Sequence, residues 1–156
     1  AYMRKQYDLL IGDKTAEEIK EKIGCAYIDK SDPDSIQQME ARGRDIISGL
    51  PKTVAITSID ALNALEEPVK IIIDGIRNTL EKAPPEIAAD IVGNGLMLSG
   101  GGGLLKGLDV LIEASTGLRV MIAENAKEAV AEGTGKSLVN IDKLQKYAGR
   151  GTKKKI

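Results

Sequence analysis

Residues 95–108 read GLMLSGGGGLLKGL: a short apolar run, one serine, four consecutive glycines, then an apolar stretch at helical spacing. Glycine loses more backbone freedom on folding than any other residue, so four in a row resist order unless something demands close approach. A strand entering a glycine-rich turn that opens a helix gathers backbone N–H groups at an electropositive helix N-terminus, and the absent Cβ atoms leave room for a ligand. That arrangement suits a phosphate or nucleotide. It equally suits a tight chain reversal, and spacing alone leaves both readings open. Leu105 and Lys106 follow the glycines, so there is no GxxxxGK[ST] phosphate loop, and the spaced glycines of a dinucleotide fingerprint are matched only loosely.

The flanking sequence sets this turn in an α/β layer. EEPVKIIIDGIRNTLEK carries Val69, Ile72, Ile73, Ile76 and Leu80 on one helical face. Pro68 is expected in its first turn, where a missing N–H costs nothing, and Ala83-Pro84-Pro85 ends it. EIAADIV reads as a short helix leading to the strand LMLS. Beyond the glycines, Leu104, Leu105, Leu108, Leu111 and Ile112 predict a helix closed by Gly117, followed by the strand LRVMI. Asn125 is expected to cap a last helix, with Glu128 at the capping-box position and small Ala129, Gly133 and Ser137 at spacing suited to close packing. Helices and strands alternating in this order predict a layered α/β unit.

Upstream, the pattern predicts a smaller α+β unit. AYMRKQYD reads as the end of an amphipathic helix, so the sequence is expected to be a piece of a longer protein. TAEE predicts a helix start with Thr15 as N-cap, Ala16, Ile19 and Ile23 give an apolar face, and Gly24 stops it. CAYID is expected to be a strand with Cys25 buried. After the turn-rich SDPD, QQMEARGRD reads as a return strand and KTVAIT as a further strand with Val54 and Ile56 alternating, and a short helix is expected over residues 59–65. The resulting divisions are 1–10, the end of a helix, 11–65, a small α+β unit, 66–140, the α/β unit, and 141–156, a basic tail.

Composition narrows the chemistry. Histidine is absent and there is one cysteine, which removes the commonest general base and metal ligand and leaves no internal disulfide. A catalytic triad or zinc site is not expected, and a single thiol fits a reducing cytoplasm. A net charge of −1 argues against a nucleic-acid surface spread over the body. The apolar runs are too short to span a bilayer.

Three stretches, MEARGRDIISGLPKTVAIT, EPVKIIIDGIRNTLEKAPPEIAADI and GLMLSGGGGLLKGLDVLI, together with the opening YMRKQYDLLIGDKTAEEIKEKIG, closely resemble the MreB family of bacterial actin-like cytoskeletal proteins. The likeness runs from about Ala1 to Leu138, and RGRD…GLPKTV is specific within the actin superfamily. The resemblance implies an actin-like ATPase of ribonuclease H-like fold, with two lobes about a cleft that holds ATP or ADP with Mg2+. This chain corresponds to most of the second lobe, 11–65 being its outer subdomain and 66–140 its inner one, with residues 1–10 ending a lobe-crossing helix. The family's phosphate-binding hairpins, catalytic carboxylates and Mg2+ ligands lie upstream of the matched positions, so hydrolysis is not expected of this segment alone.

The same resemblance implies where nucleotide is held. The family's glycine motif falls on Leu98-Ser99-Gly100-Gly101-Gly102, whose backbone lies against the adenosine part, with Ser99 in place of the usual threonine and Gly103 where another small residue is common. Glu17, Lys20 and Glu21 match the outer helix that closes over adenine and ribose, and Leu104 falls at the adenine pocket. Spacing alone would read Glu17, Lys20 and Glu21 as a solvated charged face. The implied whole is a self-polymerising scaffold of cell shape and wall synthesis at the inner membrane face, with a transmembrane adaptor docked on the inner subdomain. A sugar or acetate kinase of the same superfamily, or an interaction module without nucleotide, are the competing readings.

The tail, DKLQKYAGRGTKKKI, reads as a solvated end. Its Arg150, Lys153, Lys154 and Lys155 also suit anionic lipid, at about 1 kcal/mol per basic residue near the surface.

Overall fold

A computed structural model describes residues 1–29 and 35–141. The first helix, α1 (Tyr2–Tyr7), ends where Asp8 turns left-handed at φ 53°, and a two-residue strand, β1 (Leu9–Leu10), follows. Helix α2 spans Asp13–Ile23. Strands β2 (Gln38–Asp45) and β3 (Pro51–Thr57) then form an antiparallel hairpin in register Ala41↔Val54, and β1 joins its outer side opposite Arg44 and Asp45. One face of this three-stranded sheet packs on α2 and on the start of the next helix. Leu9, Ile19, Ile23, Ala41, Ile56 and Ala61 form the core between them.

That next helix, α3, runs without interruption over Ser58–Glu81. It replaces the two helices expected from sequence and places Pro68 in the interior rather than the first turn. The true start is at Thr57, whose side chain accepts from the Asp60 N–H while Asp60 accepts from the Thr57 N–H, a reciprocal cap. An interior proline costs about 3 kcal/mol. Burial on both sides of it offsets that cost: Ala61 belongs to the first core, and Val69 and Ile73 to a second one with Ala26, Leu108 and Ile112.

After α3 come α4 (Pro85–Asn94), which has no buried residue, and then β4 (Leu96–Leu98), α5 (Leu108–Thr116) and β5 (Val120–Ile122), which cover the second core. β4 and β5 pair in parallel, Met97 opposite Met121, with α5 as the crossover helix. Gly117 ends α5 in the left-handed conformation, as its position predicted. A last helix, α6, covers Ala129–Val139.

Further expectations change. Helix α2 begins at Asp13 after an N-cap at Gly12, so Thr15 lies inside it and TAEE is not its cap. Ala16 is exposed, while Ile19 and Ile23 are buried as expected. CAYID forms no strand; only a single parallel bridge joins Cys25 to Lys106, although Cys25 is as buried as foreseen. Helix α6 has Glu128 at its N-cap, without a side-chain hydrogen bond, and Asn125 serves the turn through its carbonyl instead, accepting from Glu128 and Ala129 N–H. Of its small-residue stripe Ala129 is half-buried, while Gly133 and Ser137 are exposed rather than packed.

Candidate functional site

The glycine turn follows β4 directly. Gly100 sits at φ 77°, ψ 169°, a region open to glycine almost alone, and its N–H donates to the Ala126 carbonyl at 2.5 Å. Gly101–Leu104 then wind one 3-10 turn, closed by Gly103 N–H on the Gly100 carbonyl at 3.1 Å. A Cβ added at Gly100, Gly101 or Gly102 would meet no protein atom within 4 Å. Gly103 differs: its Cβ would come within 3.1 Å of Leu98 Cβ, so packing against the strand explains that glycine. Glycine is therefore demanded by conformation at 100 and by packing at 103. At 101 and 102 the chain itself supplies no reason, and the space above them stands open.

The space over Gly101 belongs to a cleft of about 720 Å³ between the glycine turn and α2. Of the residues singled out in the sequence, Glu17, Lys20, Glu21, Gly101 and Leu104 all line it. Gly100, Gly102 and Gly103 lie in the same turn but off the lining. Arg150, Lys153, Lys154 and Lys155 lie outside the described residues. Sequence reasoning missed Cys25, Gln37, Ser58, Lys106 and Lys127, which complete much of the wall. Lys106 carried a signal, since it follows the glycines at once. Lys127 carried none, being brought to Glu21 across 106 positions of sequence.

The wall's lysines, Lys20, Lys22, Lys106 and Lys127, outnumber its acids, Glu17 and Glu21. Among the described residues only Lys127 of these four is ion-paired, to Glu21 at 3.3 Å. The balance favours an anionic guest. Cys25 is 1% exposed on the cleft floor, where its thiol lies 3.5 Å from the Ser58 carbonyl. Burial pushes this thiol up from its usual value, and the charge of Lys106 only partly opposes that. A thiol so placed is a packing group rather than a nucleophile. No group of three His, Cys, Asp or Glu residues suited to a metal ion stands among the described residues. None of the described helices is long and apolar enough to cross a membrane.

A parallel strand pair crossed by a helix, with an open glycine turn facing a charged helix, is an arrangement that the chain shares with actin-like filament proteins. It overlays the MamK double helical filament protein with a TM-score of 0.63 at 18% identity, over 81% of this chain and 37% of that one, a likeness of fold alone. The particular family is also plain. The MreB/Mbl protein family matches over residues 1–146, and the chain belongs to it. The chain is 42% identical to the cell shape-determining protein Mbl of Bacillus cereus over 149 residues, 96% of this chain and 44% of that protein. It is 43% identical to the cell shape-determining protein MreB of Escherichia coli K12 over 141 residues, 90% of this chain and 40% of that protein. MreB5 of Spiroplasma citri, solved bound to ADP, overlays with a TM-score of 0.83 at 36% identity, over 93% of this chain and 43% of that one. The chain thus spans about two fifths of the length of the relatives it matches.

Proposed function

We propose that this chain is the second-lobe portion of a filament-forming bacterial actin homologue, and that its cleft takes the adenosine end of ATP or ADP. The observation that carries the reading is the unfilled space over Gly101, which lines the same cleft as Glu17 and Lys20. Family membership and the ADP- and AMPPNP-bound structures of MreB5 support it. The same membership speaks against a sugar or acetate kinase.

In this reading the backbone of Gly100–Gly102 lies along the adenosine, because only glycine lets the chain come that near. Gly103 keeps the turn seated on Leu98. Lys20 and Glu17 would orient base and ribose from α2, with Leu104, 46% exposed, as the apolar contact. Lys106 and Lys127 add positive potential at the wall, which draws an anionic ligand in and holds it. Bound ATP supplies a hydrolysable phosphoanhydride; the groups that would act on it, and the Mg2+ ligands, belong to the complementary lobe. The first core, with α2 and the hairpin, serves as the outer subdomain within 11–65, and the second core as the inner one within 66–140. Self-association head to tail would use a heterologous interface that does not close on itself. The whole protein would work in the cytoplasm at the inner membrane face, shaping the cell through a transmembrane adaptor on the inner subdomain, with Arg150, Lys153, Lys154 and Lys155 adding lipid affinity.

Sedimentation of the full-length protein with ATP, with ADP and without nucleotide tests this. Pelleting that depends on ATP and falls in Gly101→Val is expected. Tight nucleotide binding without polymer under any condition would overturn the cytoskeletal reading.

A further inference from the structure

Two aspartates beside the first core each divide a carboxylate between two neighbours. At the β2–β3 turn, Asp45 Oδ1 accepts from the Ile47 and Ser48 N–H groups and from the Ser48 hydroxyl, at 2.9, 2.8 and 3.1 Å, which folds the tip. Its Oδ2 accepts from the Lys52 ammonium at 2.8 Å. At the start of α3, Asp60 Oδ2 accepts from the Thr57 N–H and hydroxyl at 2.8 and 2.9 Å, which closes the cap. Its Oδ1 accepts from the Tyr2 and Tyr7 hydroxyls.

Tyr7 belongs to both sets. Its carbonyl accepts from Lys52 Nζ at 2.9 Å, and its hydroxyl donates to Asp60 at 2.8 Å. The next carbonyl, that of left-handed Asp8, accepts from the Ile46 N–H at 2.8 Å. A continuous line of hydrogen bonds therefore runs from the hairpin tip through Asp45, Lys52, Tyr7 and Asp60 to the cap of α3. The ends of the line differ in surroundings. Ile47 at the tip is 83% exposed, whereas Ala61, one residue past Asp60, is buried in the first core. Helix α1 has no buried residue, so these polar ties govern the position of its last turn. A tyrosine side chain has two χ angles, and Tyr7 is half-buried against the first core, so a shift of its carbonyl shifts its hydroxyl too.

We propose that α1 is a strap, in which Tyr7 couples the β2–β3 tip to the cap of α3, the helix shared by both cores. Loosening the tip loosens the first turn of α3, and the reverse. Tyr7 and Lys52 are positioning residues here, acting through Asp60 and Asp45. Hydrogen bonds to charged groups that share members act as a unit, and paired substitutions measure their coupling.

The test uses full-length protein carrying Lys52→Met, Tyr7→Phe, or both. Lys52→Met keeps an aliphatic stem and removes both bonds of the ammonium, and Tyr7→Phe removes the hydroxyl alone. Amide hydrogen exchange is followed over 46–50 and 57–62. Lys52→Met should speed exchange several-fold at 57–62 as well as at the tip, and Tyr7→Phe several-fold at the tip as well as at 57–62. In the double variant the acceleration at each end should match the larger single effect. Effects confined to the end nearest each substitution would overturn the strap, and so would accelerations that multiply in the double variant. Tyr2→Phe separates coupling from general loosening, because Tyr2 reaches Asp60 without a tie to Lys52. It should speed exchange at 57–62 and leave the tip unchanged; an effect at the tip equal to that of Tyr7→Phe would also overturn the proposal. Should Lys52→Met fail to fold, Asp45→Asn, which removes the charge facing Lys52, is read against the same outcomes.

Discussion

A methyl group added to the glycine turn should do opposite things at adjacent positions. Gly101 has an ordinary backbone conformation, and its Cβ would meet nothing within 4 Å. Gly101→Ala should therefore leave the nucleotide-free fold intact and stabilise it by about 0.4–1 kcal/mol, because alanine restricts the unfolded chain. Gly100→Ala forces alanine to φ 77°, ψ 169°, at a cost of about 1–3 kcal/mol. Binding should separate from stability. A methyl at Gly101 enters the cleft, and overfilling a close contact costs about 1–3 kcal/mol. At about 1.4 kcal/mol per factor of ten, that weakens nucleotide affinity by about fivefold to about a hundredfold. The assay pairs a thermal melt of the nucleotide-free full-length protein with a titration of labelled ADP. Gly101→Ala should melt at or above the wild type and bind weakly, while Gly100→Ala should melt below it. If Gly101→Ala melted as low as Gly100→Ala, the space above the turn would not be free. If it bound ADP as the wild type does, the nucleotide would not lie over this residue.

Asp60 accepts from both Tyr2 and Tyr7 hydroxyls, at 3.2 and 2.8 Å, and caps α3 through Thr57, so Asp60→Asn should cost about 1.5–3 kcal/mol, read in urea unfolding with hydrogen exchange at 57–62. Burial alone would raise the Asp60 carboxyl, but the hydrogen bonds from Thr57 and the tyrosines outweigh it and hold its pKa below the ordinary value. Its contribution is therefore present above about pH 3.9 and lost as pH falls through the lower folded value. The hydrogen bond to Asp60 pushes Tyr7 from 10.0 up to about 12, so the Tyr7 contribution is full below pH 10 and lost as pH climbs towards 12. A pH series of unfolding should show both edges, and Tyr7→Phe should remove the alkaline one. Cys25, buried with a raised thiol, should resist maleimide in the folded protein, read by mass spectrometry of its peptide; labelling as fast as a free thiol would contradict its place on the cleft floor.

What was legible in the sequence is what local pattern encodes. Alternation in KTVAIT sufficed for β3 but not for its pairing with β2, and the apolar spacing after the glycines sufficed for α5, although it ran Leu104 and Leu105 into a helix that begins only at Leu108. Punctuation misled where tertiary burial overrode it. Pro68 reads as a helix start, yet Ala61 on one side of it and Val69 and Ile73 on the other bury one continuous helix. CAYID has strand composition, yet a single bridge from Cys25 to Lys106 is all that forms along it, because the Lys106 segment turns away at left-handed Gly107. Within the cleft, the residues of α2 and the glycine turn were reachable because each lies in a readable element. Lys127 was not, because what makes it a cleft residue is the Gly100–Ala126 hydrogen bond that draws its loop in from beyond β5.

The cleft exists because one helix serves two cores. The first turns of α3 are fixed to the sheet by the Thr57–Asp60 cap and Ala61, and its middle is fixed to α5 by Val69 and Ile73. Two packed units sharing a spine cannot also close on each other along their whole length, so a gap opens where α2 leaves one and the glycine turn leaves the other. Pro68 lies between the two sets of buried contacts, exposed, at the point where the helix lacks a backbone N–H. Bending concentrates at such a point, since the carbonyl one turn earlier has no helical donor to hold it. The glycine turn, by contrast, takes its shape from contacts on its own side of that spine: Gly103 is seated on Leu98 and the Gly100 N–H donates to the Ala126 carbonyl, so bending at Pro68 would leave the turn intact.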